Sequence, residues 1–293
     1  MPKPRLSWKL RATDSLAFAQ KQTAYRIIVS SSAKKINAHK GDIWNSGWVS
    51  SDEMQLIRYQ GNPLLSDRKY FWSVNVKDEK GIESGFSVPA TFSTGLFEEK
   101  EWTAKWIGTN DYYNPRQKDN QMYDPWFRKA FELKSSPERA VLFVASVGYH
   151  EVYVNGKRIG NHVLAPAATD YVKRARYIAY DIAAYLRPGK NVIALWLGVS
   201  WSVFAPYATA DKPRTPMVLA QADIYGKYHK KWMRVVTDDR WKTHPSPNKL
   251  LGNWSFRNFG GELWDANKEV PDWNKVDFED TDWQNAVVYH PNL

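Results

Sequence analysis

Glu262 and Asp265 lie on either side of a leucine-tryptophan pair in Gly260-Gly261-Glu262-Leu263-Trp264-Asp265-Ala266. Two carboxylates held on opposite sides of a glycosidic bond suffice to hydrolyse it, one protonating the leaving oxygen and the other activating water. Carboxylates in a glycine-started loop also cap turns by accepting backbone N–H groups, and spacing alone leaves both roles open. Asp170 and Tyr171 begin a second candidate stretch, residues 169–181, in which Lys173, Arg174 and Arg176 interleave with Tyr171, Tyr177 and Tyr180. Such a pattern could read nucleic acid, hold a sugar or cover a sheet. Trp201 supplies a further ring, and its segment Gly198-Val199-Ser200-Trp201-Ser202 lacks the closing glycine of a nucleophile elbow.

Other chemistries have no residues to run on. There is no glycine-rich phosphate loop and no His-Glu-x-x-His. The histidines, at 39, 150, 162, 229, 244 and 290, are dispersed, with no two at ligand spacing, and are expected to be structural or solvated. The chain has 0 cysteines, which removes disulfides, zinc-thiolate sites and thiol nucleophiles and fits either a reducing cytoplasm or a bacterial export route without bridges. A formal charge of +10, from 41 Lys and Arg against 31 Asp and Glu, favours acidic partners. The basic residues are scattered among acidic ones except at 173–176 and 227–234. The 15 Trp and 16 Tyr suit the space between packed sheets, where most are expected, and also suit sugar platforms, where a ring meets the C–H face of a pyranose.

The elements that must position these groups read as strands. No run approaches the ~18 apolar residues of a membrane helix, and no long amphipathic helical pattern appears. Over residues 1–97, Ala24–Val29 and the alternation of Tyr70, Trp72, Val74 and Val76 indicate half-buried strands, with a turn at Asp78 to Gly81. Leu65 precedes Tyr70 by the spacing of the tyrosine corner in fibronectin type III sandwiches. A boundary follows near Phe92–Gly95, ahead of the charged stretch Glu98–Glu101. Over residues 98–293, strands are expected at Trp126–Leu133, Ala140–Ala145, Val192–Leu197, Met217–Tyr225 and Trp232–Val236. Asn155-Gly156 marks a hairpin because both residues tolerate positive φ, and Asp181 stands where it can cap a short helical turn. The expected class is all-β: a fibronectin-like sandwich at 1–97, then a jelly-roll sandwich at 98–293. Within it, residues 171–180 read as one strand with mixed faces, which argues against a continuous nucleic-acid stripe. The amino terminus, Met1 to Leu10, carries no apolar signal core.

Nearly the whole chain carries a resemblance. Pro4-Arg5-Leu6-Ser7-Trp8, Gln22-Thr23-Ala24-Tyr25, Trp44-Asn45-Ser46-Gly47 and Phe92-Ser93-Thr94-Gly95 resemble the amino-terminal fibronectin-like domain of bacterial α-L-rhamnosidases of glycoside hydrolase family 78. Trp102-Thr103-Ala104-Lys105-Trp106-Ile107, Gly148 through Gly156, Thr169-Asp170-Tyr171, Tyr177 to Asp181 and Gly261-Glu262 through Asp265-Ala266 resemble the β-sandwich domain that follows.

The resemblance implies that inverting hydrolysis of terminal α-L-rhamnosides belongs to a helical (α/α)6 barrel downstream, and this sequence ends at Asn292-Leu293 before any barrel. The chain is therefore expected to be the non-catalytic amino-terminal part, inactive alone, whose partners are the catalytic barrel and a rhamnose-containing, acidic polysaccharide, with no nucleic acid and no membrane span. A stand-alone fragment that binds polysaccharide or protein is the alternative. Related rhamnosidase sandwiches include a family-67 carbohydrate-binding module that holds rhamnose with calcium, so calcium is the one cofactor implied. The expected sugar site is a loop end built from Asp170, Tyr171 and Trp201, with Glu262 and Asp265 as neighbours. Three departures bear on it: Ala167-Ala168 replaces the Gly-Trp that commonly precedes Thr-Asp-Tyr, Gly198-Val199-Ser200-Trp201 replaces the usual Gly-x-Gly-Trp, and Asn267 replaces the Arg that normally follows Asp-Ala. The implied location is periplasmic or extracellular in a bacterium, the signal being absent from this chain.

Overall fold

The computed structural model describes residues 2–291 except 13–15, 17, 112–120, 172, 204–214, 227–229 and 256–257. The chain forms two compact units, Met1–Glu101 and Trp102–Leu293. Both are built from antiparallel strands, as the alternating patterns require.

The first unit holds β1 (Arg5–Leu6), β2 (Ala24–Ser30), β3 (Trp44–Asn45), β4 (Val49–Ser50), β5 (Ile57–Arg58), β6 (Lys69–Lys77) and β7 (Ala90–Ser93), with the short helix α1 (Ala33–Asn37) after β2. Among the described residues, one sheet runs β3-β2-β6-β7 with β4 also on β2, and β1 pairs with β5. Tyr25, Ile27 and Val29 alternate onto the core face of β2 and meet Tyr70 and Val74 from β6. The tyrosine corner is present: the Tyr70 hydroxyl accepts the Leu65 N–H at 2.9 Å, and the Thr94 hydroxyl donates to the Leu65 carbonyl at 2.6 Å. At the expected turn, the Asp78 carboxylate accepts the N–H groups of Lys80 and Ile82, and Gly81 takes φ +76°.

The second unit holds β8 (Trp106–Gly108), β9 (Gln121–Leu133), β10 (Arg139–Val147), β11 (Tyr149–Val154), β12 (Lys157–Arg158), β13 (Tyr177–Asp181), β14 (Gly189–Gly198), β15 (Met217–Tyr225), β16 (Lys231–Val236), β17 (Lys242–Ser255), β18 (Asn258–Trp264), β19 (Gln284–Asn285) and β20 (Val287–Tyr289). One sheet runs β13-β10-β15-β8-β20 with β16 also on β15; the other runs β12-β11-β14-β9-β17-β18 with β19 also on β17. Leu142 and Val144 from the first sheet pack with Phe127, Val152, Leu195 and Leu197 from the second, giving the interleaved core of a sandwich. Residues of opposite parity on the second sheet, Trp126 and Ala194, face away from that core and are covered by Trp273 and Trp283. Asn155 and Gly156 take φ +51° and +81° in the expected hairpin, and Asp181 accepts the Ala183 N–H at 3.2 Å ahead of a short 3-10 turn.

Two expected segments differ. Residues 171–180 are not one strand: the Asp170 carbonyl accepts the N–H groups of Lys173 and Arg174, closing a turn, and pairing with β10 starts only at Tyr177. Val172 lies outside the described residues. The consecutive cations at 173–174 favour this solvated turn over a place in the sheet. The Gly260–Asp265 segment is not a loop. It is mostly strand β18, whose partner β17 was hidden in the sequence because Pro245, Pro247 and Gly252 punctuate it; the register shifts between Pro245 and Lys249 and again between Leu251 and Trp254 absorb the irregularity.

Candidate functional site

Strand register fixes the end of the second unit beside which Tyr171 and Trp201 lie. Val147 at the end of β10 lies opposite Met217 at the start of β15, and Tyr149 at the start of β11 lies opposite Gly198 at the end of β14. Between them, Gly148 takes φ +97°, and a Cβ there would sit 2.4 Å from the Gly198 carbonyl oxygen, so only glycine fits. The Tyr171 hydroxyl accepts the Gly148 N–H at 3.3 Å. Its ring packs with Val147, Met217 and the half-buried Trp201. Tyr171 and Trp201 are thus brought together, but Tyr171 is 1% exposed and presents no face for stacking.

Trp201 belongs to a 3-10 turn, Ser200–Val203, that follows β14. The flanking Val199 and Val203 pack with Met122 of β9 and Leu250 of β17. Leu250 lies directly opposite Glu262 of β18. The turn therefore ties the Tyr171 cluster to the strand that carries Glu262.

The expected carboxylates take separate roles. Asp170 is exposed, 3.4 Å from the Lys173 ammonium. The Asp265 carboxylate accepts the Asn267 N–H at 3.1 Å and caps the turn Ala266–Lys268. Glu262 is exposed on its strand. Among the described residues, no three His, Cys, Asp or Glu side chains converge as metal ligands.

Asp124 of β9 is the carboxylate that sequence reasoning missed. It is 6% exposed and accepts the Val199 N–H at 2.8 Å and the Asn248 amide N–H at 2.6 Å. Burial pushes its carboxyl up to about 6; the two hydrogen bonds pull it down and the charge of Glu262 adds to the rise. Its signal was present as an acid within Met122-Tyr123-Asp124-Pro125-Trp126, but Pro125 concealed that the strand begins before Trp126.

A buried serine and histidine lie nearby without the geometry of a nucleophile. The Ser146 hydroxyl donates to the Gly148 carbonyl at 3.0 Å and so accepts from His150 Nδ1 at 2.9 Å, leaving Nε2 to accept the Tyr180 hydroxyl at 3.0 Å. Burial, with a smaller contribution from His162, pushes the His150 imidazole down to about 3, so it stays neutral and structural.

Residues 135–292 match the family described as "Alpha-L-rhamnosidase N-terminal domain", and residues 1–98 match "Rha78A-like, N-terminal immunoglobulin domain". An α-L-rhamnosidase of Formosa agariphila is 31% identical over 317 residues, covering 99% of this chain and 32% of its own length. One from an Alteromonas species is 31% identical over 294 residues, covering 97% and 31%. The solved structure of α-L-rhamnosidase from Dictyoglumus thermophilum superposes with a TM-score of 0.82 at 37% identity, over 97% of this chain and 32% of that one. The chain spans about a third of the length of these relatives. Since the family match takes in more than half of its residues, the chain belongs to the α-L-rhamnosidase N-terminal domain family.

Proposed function

We propose that the chain is the non-catalytic accessory region of an α-L-rhamnosidase-type glycoside hydrolase, supporting a catalytic domain and holding rhamnose-containing, acidic polysaccharide near it. The observation that carries this reading is the pair of coverages: relatives named α-L-rhamnosidase match this chain over 97–99% of its length while it accounts for 31–32% of theirs. The carboxylates support it, because of the candidate acid–base pair Glu262 lies exposed on β18 while Asp265 caps the turn Ala266–Lys268. In this reading the whole enzyme hydrolyses terminal α-L-rhamnosides, and it works outside the cytoplasm, where a polymer too large to be taken up is met.

Single sugars compete with water for every hydroxyl, so free rhamnose should bind weakly, with a dissociation constant on the order of 1 mM. The +10 charge adds long-range attraction for an acidic polymer. Calorimetric titration of the 293-residue chain with an acidic rhamnose-containing polysaccharide should give saturable binding, tighter than rhamnose and weakened by salt. Absence of binding at low ionic strength would remove the polysaccharide part of the proposal.

A further inference from the structure

The second unit contains tryptophans of two kinds. Trp126, Trp241, Trp273 and Trp283 are each 8% exposed or less, whereas Trp232 on β16 and Trp264 on β18 are 44% and 45% exposed, and of these two Trp264 belongs to the second sheet. The Trp264 ring lies 5.9 Å from that of half-buried Trp196, centroid to centroid, at an interplanar angle of 54°. The two rings therefore form an open corner on the face of the second sheet that points away from its core, the face that also carries Trp126, 6.2 Å from Trp196. Register fixes what surrounds the corner. Glu262 sits two residues before Trp264 on β18 and so shares its side. Glu151 is directly opposite Trp196, and Tyr149, two residues before it on the same side of β11, is opposite Gly198. Gly198 has no side chain, and a Cβ there would reach only the Tyr149 Cβ, at 3.6 Å.

We infer that this corner, Trp196 and Trp264 flanked by Glu262, Glu151, Tyr149 and Gly198, is a saccharide site, and that its ligand is a neutral 6-deoxyhexose unit such as a terminal rhamnosyl group. The inference rests on the accessory-region reading and locates its sugar contact. An exposed indole against a second, tilted indole offers apolar area in two directions. A 6-deoxy sugar matches both, with its C–H face on one ring and its methyl group on the other. Glu262 is exposed and accepts hydroxyl donors. Glu151 is held in place by the Tyr153 hydroxyl at 2.6 Å and the Arg158 guanidinium at 2.6 Å, and each oxygen keeps further acceptor capacity. Glu262 on β18 and Glu151 on β11 stand at opposite margins of the corner, with β17, β9 and β14 between them, and their charge repels an anionic group, so the site takes the neutral sugar of the polymer while the overall positive charge attracts its acidic units.

The test is titration of the 293-residue chain with methyl α-L-rhamnopyranoside and, in parallel, methyl α-D-glucopyranoside and the acidic polysaccharide, followed by indole N–H resonances. The rhamnoside should give saturable shifts of the Trp196 and Trp264 indoles; W264A should weaken binding roughly tenfold, E262Q should weaken it several-fold, and W232A, which removes an exposed ring from β16 of the other sheet, should leave it unchanged. Glu262→Gln keeps the strand intact and carries the test should Trp264→Ala unfold. Polymer binding with no rhamnoside response, or a rhamnoside response insensitive to W264A and E262Q, overturns this site and leaves the accessory reading standing. Equal response to the glucoside overturns the ligand class. No binding by any of the three removes this site together with the polysaccharide part of the accessory reading.

Discussion

Arg128 of β9 is 2% exposed and donates through Nη1 to the Asp280 carboxylate, binding a residue 152 positions away along the chain. The same guanidinium donates to the Phe278 carbonyl at 3.2 Å and the Lys275 carbonyl at 2.9 Å. Beside it, Trp126 stacks on Trp273 at 4.5 Å and lies 6.3 Å from Trp283. A long irregular segment is thereby fixed over the outer sheet face at Trp126, with Trp196 packed at its edge and Trp264 exposed beyond it.

Arg128→Ala should destabilise the second unit by about 3 kcal/mol, since removing one partner leaves a carboxylate and two carbonyls without their donor. Asp280→Ala should cost less, because the two carbonyl bonds survive. Urea unfolding followed by tryptophan fluorescence gives both values, and equal losses would show that the ion pair, not the carbonyl bonds, fixes the segment.

Tyr70→Phe should cost the first unit about 1 kcal/mol by removing the acceptor of the Leu65 N–H. For a unit of this size that corresponds to a drop of about 5 °C in its melting temperature, readable by calorimetry. An unchanged first transition would mean that the Thr94 bond alone maintains the corner.

Two buried groups give opposite pH dependences. His150 stays neutral in the fold with its pKa held down at about 3, while the unfolded chain protonates near the ordinary 6.5, so stability falls as pH drops below 6.5 toward 3, on the order of 1 kcal/mol per pH unit. Asp124 has its pKa raised from 3.8 to about 6, so its contribution is fully present below 3.8 and is lost as pH rises through 6. His150 has the larger shift, and net stability should decline from pH 6.5 to 4. Asp124→Asn should steepen that decline by removing the opposing contribution, as measured by urea midpoints across the range.

Much of the architecture was legible because it is carried by short-range chemistry. Tyr70 follows Leu65 at corner spacing, Asn155-Gly156 permits only a tight hairpin, and the apolar runs at Ala140–Ala145 and Met217–Tyr225 have few alternatives to a buried strand. The β17–β18 ribbon was not legible, because its prolines and glycines read as loop while pairing with β9 and two register shifts hold it as strand. That error placed Glu262 and Asp265 in one loop, although one lies on a strand and the other caps a turn. Tyr171 was misjudged for a different reason: its neighbours Val147 and Met217 arrive from strands far away in sequence, and nothing local marks its ring as covered. Burial of a single ring is set by tertiary partners, and its residue type cannot report them.

The central claim, that this region assists a rhamnosidase without itself cleaving substrate, is tested most directly by incubating the 293-residue chain at high concentration with an aryl α-L-rhamnoside and following release of the aryl alcohol. The account predicts no release above that of buffer. Turnover that Glu262→Gln or Asp265→Asn abolishes would contradict it and would make the carboxylates of the second unit an acid–base pair.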